Sequence, residues 1–242
     1  MNYVVIFAGG VGSRMGSKTP KQFLKVKEKP IIIHTIEKFH MHSSIDGVIV
    51  VCKREYIDYC KELIDKYRLN KVYDVICGGK TGQLSIYNGV EFLYRNVSQN
   101  PSNDIVLIHD GVRPIINEHL ISKSIECTMK NGNSIAVSKA VETVIKVDSY
   151  GNIIETVDRS ICRNAKAPQC FYLKDLWEIH EKALKDQKID MIDSATLMSE
   201  YGYKLYTTEC NAENIKITTP IDYYMFRGMY EAMSNDKGVL TL

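Results

Sequence analysis

No stretch of about 18 uninterrupted apolar residues occurs among the 242 residues, which removes a membrane-spanning helix from consideration. No Cys-x-x-Cys pair occurs either. The seven cysteines (Cys52, Cys60, Cys77, Cys127, Cys162, Cys170 and Cys210) are odd in number and widely spaced, which argues against zinc and thioredoxin-type sites. Most lie in apolar runs, where a free thiol behaves as a small hydrophobe. All seven are therefore expected as core cysteines of a protein in a reducing cytoplasm. An excess of charge is lacking too. Thirty-one basic against 29 acidic residues leave a net charge of +2, too little to argue for a nucleic-acid partner. The start, Met1-Asn2-Tyr3-Val4-Val5-Ile6-Phe7, carries no basic leader or small-residue cleavage site and reads as a first strand. What the chain does have is 45% hydrophobic and 25% charged residues, enough for a sizeable core and unlike a disordered chain.

Short apolar runs alternate with helical stretches, the pattern of an α/β fold with a mostly parallel sheet. Strands are expected at Tyr3–Ala8, Gly47–Cys52, Val72–Cys77, Asp104–His109 and Ser134–Ser138. Apolar residues at Tyr56, Ile57, Cys60, Leu63, Ile64 and Tyr67 predict an amphipathic helix over Arg54–Arg68. Leu120, Ile121, Ile125 and Met129 predict another. A last helix should start with Thr219 as N-cap and Pro220 in its first turn, burying Ile221, Met225, Met229 and Ala232. Residues 139–167 break the rhythm. Two β-rich runs, Thr143–Val147 and Ile153–Val157, flank the turn Asp148-Ser149-Tyr150-Gly151-Asn152 with no helix between them. They predict a β-hairpin arm inserted in one domain spanning 1–242, packed on another subunit.

The strongest chemical signal follows the first strand: Phe7-Ala8-Gly9-Gly10-Val11-Gly12-Ser13-Arg14-Met15. Glycines let backbone N–H groups approach a polyphosphate closely. A dinucleotide fingerprint starting at Gly10 would need glycine where Met15 stands, and a P-loop starting at position 11 would need glycine at Val11 and lysine at Ser17. Arg14 and Lys21, the latter in Pro20-Lys21-Gln22-Phe23, place two cations beside this loop. Attack at the α-phosphorus of a triphosphate needs such charges as the pyrophosphate departs. Ile105-Val106-Leu107-Ile108-His109-Asp110-Gly111-Val112-Arg113-Pro114 puts Asp110 at a strand's C-terminal end, where it could hold Mg²⁺ or merely pair with Arg113. In Gly78-Gly79-Lys80-Thr81-Gly82-Gln83-Leu84-Ser85, Gly79 allows close approach of a base, and Ser85 either meets its edge or caps a helix. Arg159 and Lys216 stand beside β-branched residues in Thr156-Val157-Asp158-Arg159-Ser160 and Asn214-Ile215-Lys216-Ile217-Thr218-Thr219-Pro220.

Taken in order, these segments resemble the cytidylyltransferases that make CDP-activated polyols, whose two branches act on 2-C-methyl-D-erythritol 4-phosphate and on D-ribitol 5-phosphate. The resemblance implies a Rossmann-like nucleotidyltransferase fold and a homodimer held by the arm. It implies that Phe7, Ala8, Gly9, Gly10, Gly12, Gly79, Ser85, Asp110 and Gly111 hold CTP, with Mg²⁺ at Asp110. Arg14 and Lys21 then stabilise the pentavalent phosphorus. Arg159, reaching into the partner's site, acts with Lys216 on the polyol phosphate, and Thr143 contacts the same substrate. Three departures from the methylerythritol branch, namely Gly82 in place of Arg, Ala167 in place of Thr before Pro168-Gln169, and Ile192 in place of Thr before Asp193, lean toward ribitol 5-phosphate. Ala8-Gly9-Gly10 leans the same way. An NAD-type oxidoreductase and a non-catalytic nucleotide binder are the rival classes.

Overall fold

Val4, Val5 and Ile6 are apolar on both faces of a strand and fully buried, as a strand covered by helices on both sides must be. In the computed structural model, which describes residues 1–10, 15–16 and 19–235, they lie in β1 (Asn2–Phe7). A small hairpin follows, β2 (Lys25–Val26) with β3 (Lys29–Pro30), then α1 (Ile31–His40), β4 (Gly47–Cys52), α2 (Ile57–Lys66), β5 (Val72–Cys77), α3 (Gly82–Phe92) and β6 (Ile105–Asp110). The second half runs α4 (Glu118–Asn131), β7 (Asn133–Lys139), β8 (Val144–Val147), β9 (Ile153–Val157), β10 (Arg163–Tyr172), α5 (Leu173–Lys185), α6 (Ser194–Glu200), β11 (Thr207–Glu209) and α7 (Pro220–Asn235).

The seven-stranded sheet has the order β11-β7-β10-β6-β1-β4-β5. Only β10 runs against its neighbours; β1, β4, β5 and β6 are parallel. From β1 the chain winds outward to β4 and β5, then returns to lay β6 on the other side of β1. That reversal leaves a crevice at the C-terminal ends of β1 and β6, the usual ligand position in open α/β sheets. Register places Phe7 beside Asp110 at that edge.

Alternate strand residues serve two apolar layers. Val4, Ile6, Val50 and Leu107 pack with Ile36 and Phe39 of α1, Leu63 of α2 and Ile121 of α4. Val5, Ile49, Val51 and Val106 pack on the other face with Ile86 and Val90 of α3, Leu176 of α5 and Leu197 of α6. Gly89 is what lets α3 settle on β1, because a Cβ there would lie 2.5 Å from Val5 Cγ1. Among the described residues no helix is long and apolar enough to cross a membrane.

The structure adjusts several expectations. Helix Arg54–Arg68 is split into a 3-10 turn, Arg54–Tyr56, and α2. Met129 is exposed on α4. In α7 the buried face is Phe226 with part-buried Tyr223 and Tyr230, whereas Ile221 and Met225 face solvent. Its start is as expected in kind: Asp222 Oδ2 accepts the backbone N–H groups of Thr218 (2.9 Å) and Thr219 (2.7 Å). Three cysteines are buried, while Cys77, Cys127, Cys162 and Cys210 are only partly covered, and all seven are free thiols.

The arm exists as an antiparallel hairpin, Val144 pairing with Val157. Asp148 organises its turn by accepting from the backbone N–H groups of Tyr150 and Asn152, each at 2.9 Å. It is shorter than 139–167, because Arg163–Ala165 already pair with β7 in the main sheet. Strand β10 escaped the sequence reading because Ala-Lys-Ala-Pro resembles a break. Pro168 is accommodated at a register shift, between the pairs Ala165–Val137 and Gln169–Ile135, the kind of place where a strand tolerates proline.

Candidate active site

The exit of β1 is fastened before it can turn into the crevice. Ala8 N–H donates to Val51 O (2.7 Å), and Gln22 Nε2 donates to Ala8 O (2.9 Å). Gln22 belongs to a 3-10 turn, Lys21–Phe23, whose Phe23 is buried against Tyr56 and Tyr59. This anchoring aligns Lys21 with the loop: its Nζ donates to Ile217 O at 3.0 Å, and Gly10 lies close to its stem. Phe7, Ala8, Gly9, Gly10 and Lys21 share one hollow of about 310 Å³ with Asp110 and Lys216. The expected phosphate loop and two of the four expected catalytic cations therefore meet in one place. Gly12 and Arg14 lie outside the described residues.

Asp110 is the electrostatic centre of the hollow. It is 6% exposed. Its Oδ1 faces Lys216 Nζ at 2.5 Å, and its Oδ2 accepts from Arg113 Nε at 2.8 Å. Burial alone would raise its pKa, but the Lys216 ammonium and the Arg113 guanidinium outweigh burial and hold the carboxyl below its usual range. Arg113 also donates to Asn214 O (2.8 Å), tying the segment that carries Lys216 back to β6. Asp110 thus pairs with Arg113, one of its two sequence readings, and it also lines the hollow. His109 does not share the site chemistry. It is buried against Phe39, and burial pushes its pKa down to about 4.

Toward β5 a second hollow, about 510 Å³, opens between Gly9 and Gly79 and is rimmed by Lys53, Arg54 and Lys80. Here the structure excludes one of the two readings of Ser85. Ser85 is not the helix cap; Thr81 is, accepting from Leu84 N–H. Ser85 Oγ accepts from Gly79 N–H (3.1 Å) and donates to Thr81 O (2.9 Å), so it braces the Gly78-Gly79 loop from below. Gly79 must be glycine for a packing reason, since a Cβ would lie 2.4 Å from Leu84 Cβ. Gly111 is similar: its N–H donates to Phe7 O, and a Cβ would meet Ala8 Cβ at 3.0 Å. It fixes the β1–β6 edge and lies outside the residues lining the hollows.

Toward β10 a third hollow, about 580 Å³, continues past Asp110 and Lys216 to Lys166, Ala167, Gln169, Ile192 and Asp193. Asp193 caps α6, its Oδ1 accepting from Thr196 N–H, while Oδ2 accepts from Gln169 Nε2 (2.9 Å). Gln169 Oε1 in turn accepts from Ala195 N–H (2.9 Å). Gly82, Ala167 and Ile192, far apart in sequence, all border this space. Lys166 went unnoticed in the sequence. Its only signal was adjacency to Ala167-Pro168-Gln169.

Two expected residues are not brought here by their own chain. Arg159 is exposed on the arm, donating to Val141 O (2.9 Å), and Thr143 is exposed at the arm's base. Neither lines the hollows around Asp110. Among the described residues no three His, Cys, Asp or Glu side chains form a metal cluster. Among the described residues Asp110 is the one carboxylate lining the phosphate hollow, and one carboxylate plus phosphate oxygens is a donor set that Mg²⁺ accepts. The residues therefore fit an ion that arrives with the nucleotide.

Residues 2–229 match the family model described as 2-C-methyl-D-erythritol 4-phosphate cytidylyltransferase. A protein of Streptococcus agalactiae serotype Ia named ribitol-5-phosphate cytidylyltransferase is 46% identical over 238 residues, covering 98% of each chain. One of Clostridium botulinum named 2-C-methyl-D-erythritol 4-phosphate cytidylyltransferase is 35% identical, covering 96% of this chain and 99% of its own. Among solved structures, 4-diphosphocytidyl-2C-methyl-D-erythritol synthase from Anaerococcus prevotii superposes with a TM-score of 0.80 at 27% identity, covering 95% of each chain.

Proposed function

Because the chain belongs to the 2-C-methyl-D-erythritol 4-phosphate cytidylyltransferase family and is a CTP-dependent nucleotidyltransferase, we propose that it transfers CMP from CTP to D-ribitol 5-phosphate, giving CDP-ribitol and pyrophosphate. The observation that carries the choice of acceptor is the gap in similarity: 46% to a relative named for ribitol 5-phosphate against 35% to one named for the methylerythritol substrate. Ala167 and Ile192, which stand where the methylerythritol branch has threonines, border the third hollow and support the same choice.

In this reading CTP lies along the β1 and β5 ends, with its phosphates against Gly9, Gly10 and Lys21. The acceptor occupies the hollow between Lys216 and Gln169. A phosphate monoester is already an anionic nucleophile near pH 7, so no strong base is required. That fits a His109 kept neutral and buried. One acceptor phosphate oxygen forms a bond to the α-phosphorus as the bond to the pyrophosphate oxygen breaks, and both electrons leave with pyrophosphate. Lys21, Arg14 and Lys216 supply the positive charge that lets two anions meet in line. Asp110 would hold Mg²⁺, which would supply positive charge to neutralise the leaving group.

The reading includes a homodimer. Ile153 and Ile154 are each 65% exposed on the arm, apolar surface that a second copy would cover. The partner's arm would then carry its Arg159 and Thr143 to the acceptor. Seven free thiols suit a reducing cytoplasm. The test is pyrophosphate release from CTP and Mg²⁺ with each acceptor in turn. The expected result is a higher kcat/KM for ribitol 5-phosphate than for methylerythritol phosphate. A reversed preference assigns the chain to the second acceptor, and silence with both overturns the proposal.

A further inference from the structure

Three cations border the acceptor hollow, and they are not equivalent. Arg113 and Lys216 each face an oxygen of Asp110. Lys166 has no carboxylate within ion-pair distance among the described residues; its Nζ donates to two neutral carbonyls, Ala212 O at 2.8 Å and Asn214 O at 3.2 Å. It is half-buried, and burial, with Arg113 nearby, lowers its pKa. A charge removed from water without a counter-charge is costly, and an arriving anion relieves that cost.

The backbone aims this lysine at the hollow. Between the pairs Ala165–Val137 and Gln169–Ile135, β10 spends four residue steps where β7 spends two. The surplus lifts Lys166, Ala167 and Pro168 out of the regular ladder at the crevice, as bulges beside binding sites do. Ala167 O is then fixed by Asn214 Nδ2 at 2.6 Å, so the lysine's starting point is held firmly.

We propose that Lys166 is a specificity-determining residue of the acceptor site, its ammonium leaving the Ala212 and Asn214 carbonyls to bind the phosphate group of the polyol phosphate. This rests on the acceptor lying in the hollow between Lys216 and Gln169. A dianionic phosphate is a far better partner for an ammonium than a pair of neutral carbonyls. Asn214 O keeps its bond from Arg113 when the lysine departs, so the segment bearing Lys216 stays in place.

Lys166→Gln retains donors for the two carbonyls but removes the charge, and Lys166→Arg retains the charge. In steady-state assays with ribitol 5-phosphate, Lys166→Gln should raise the acceptor KM about tenfold or more, leave kcat and the KM for CTP within about twofold, and be largely rescued in Lys166→Arg. An unchanged acceptor KM overturns the proposal. So does a parallel loss in kcat and CTP affinity, which would mark Lys166 as a clamp on residues 212–216. If the wild type turns over neither polyol phosphate, the substrate reading fails separately. Inorganic phosphate then serves as probe: it should raise the melting temperature of the wild type more than that of Lys166→Gln, and equal shifts overturn the assignment.

Discussion

β6 and β9 both open on β-branched apolar residues and meet opposite fates. Ile105, Val106, Leu107 and Ile108 of β6 are at most 3% exposed, while Ile153 and Ile154 of β9 are 65% exposed. The first strand sits between β1 and β10 with helices on both faces. The second has one hairpin partner, and four of its five residues are exposed. β-branched side chains therefore specify strand in both places, but burial depends on what surrounds the strand. The comparison teaches that the sheet centre is covered within this chain, whereas the arm leaves its apolar side chains exposed.

The sharpest way to extend that contrast is to divide the site between two copies. Arg159→Ala and Lys216→Ala should each cost about 3–4 kcal/mol in the transition state, roughly 10²–10³ in rate. If the arm of one copy completes the crevice of the other, mixing the two variants rebuilds one intact site per mixed dimer. Activity should then return to about a quarter of wild type after subunit exchange. No recovery in mixtures shown to contain mixed dimers would place Arg159 outside the partner's crevice.

A smaller effect separates the two strands by stability alone. Leu107→Ala opens a cavity in a filled core and should cost about 2–5 kcal/mol in urea unfolding. Ile154→Ala should stay within about 0.5 kcal/mol in the dissociated chain, its effect appearing instead as a higher dissociation constant of the dimer by analytical ultracentrifugation. Equal costs in both variants would erase the distinction drawn here.

Acid offers a third handle, because the buried histidines belong to the body and residues 140–162 contain none. Burial pushes His109 down to about 4 and His180 to about 3. The unfolded chain binds their protons near pH 6.5 while the folded chain does not, so stability falls as pH drops below about 6.5. At pH 5 the loss is about 2 kcal/mol per histidine. Asp110, whose pKa is depressed, weakens the fold only in more acid solution, below the ordinary carboxylate range near 3.8. Denaturant midpoints at pH 7 and pH 5 measure the effect, and His180→Phe, which removes an unpartnered buried ring nitrogen, should reduce it by about 2 kcal/mol. An unaltered pH dependence in that variant would show that His180 is charged in the folded state.

Long apolar runs and end signals made much of this legible beforehand. The strands Gly47–Cys52 and Val72–Cys77 stand where periodicity put them, and Thr219-Pro220 with Asp222 announced the last helix. Lys21 and Asp110 could be singled out because each sits beside a glycine loop or a strand end, and Lys216 because the family resemblance pointed to it. Gly79, Ser85 and Gly111 also have packing and bracing roles that the sequence did not show, through Leu84 Cβ, the Gly79 amide and Ala8 Cβ.

By itself the sequence determined the local choices: which runs become strands, where the phosphate loop begins, and that a hairpin interrupts the rhythm. These follow from side-chain period and backbone freedom, which a short window of residues contains. Only the tertiary structure decided that Lys166 has no carboxylate at ion-pair distance among the described residues while Arg113 and Lys216 share Asp110, and that Gly82, Ala167 and Ile192 border a common hollow. Such facts depend on distances between residues up to about a hundred positions apart, and strand order at the β1–β6 reversal sets those distances. No local pattern encodes them.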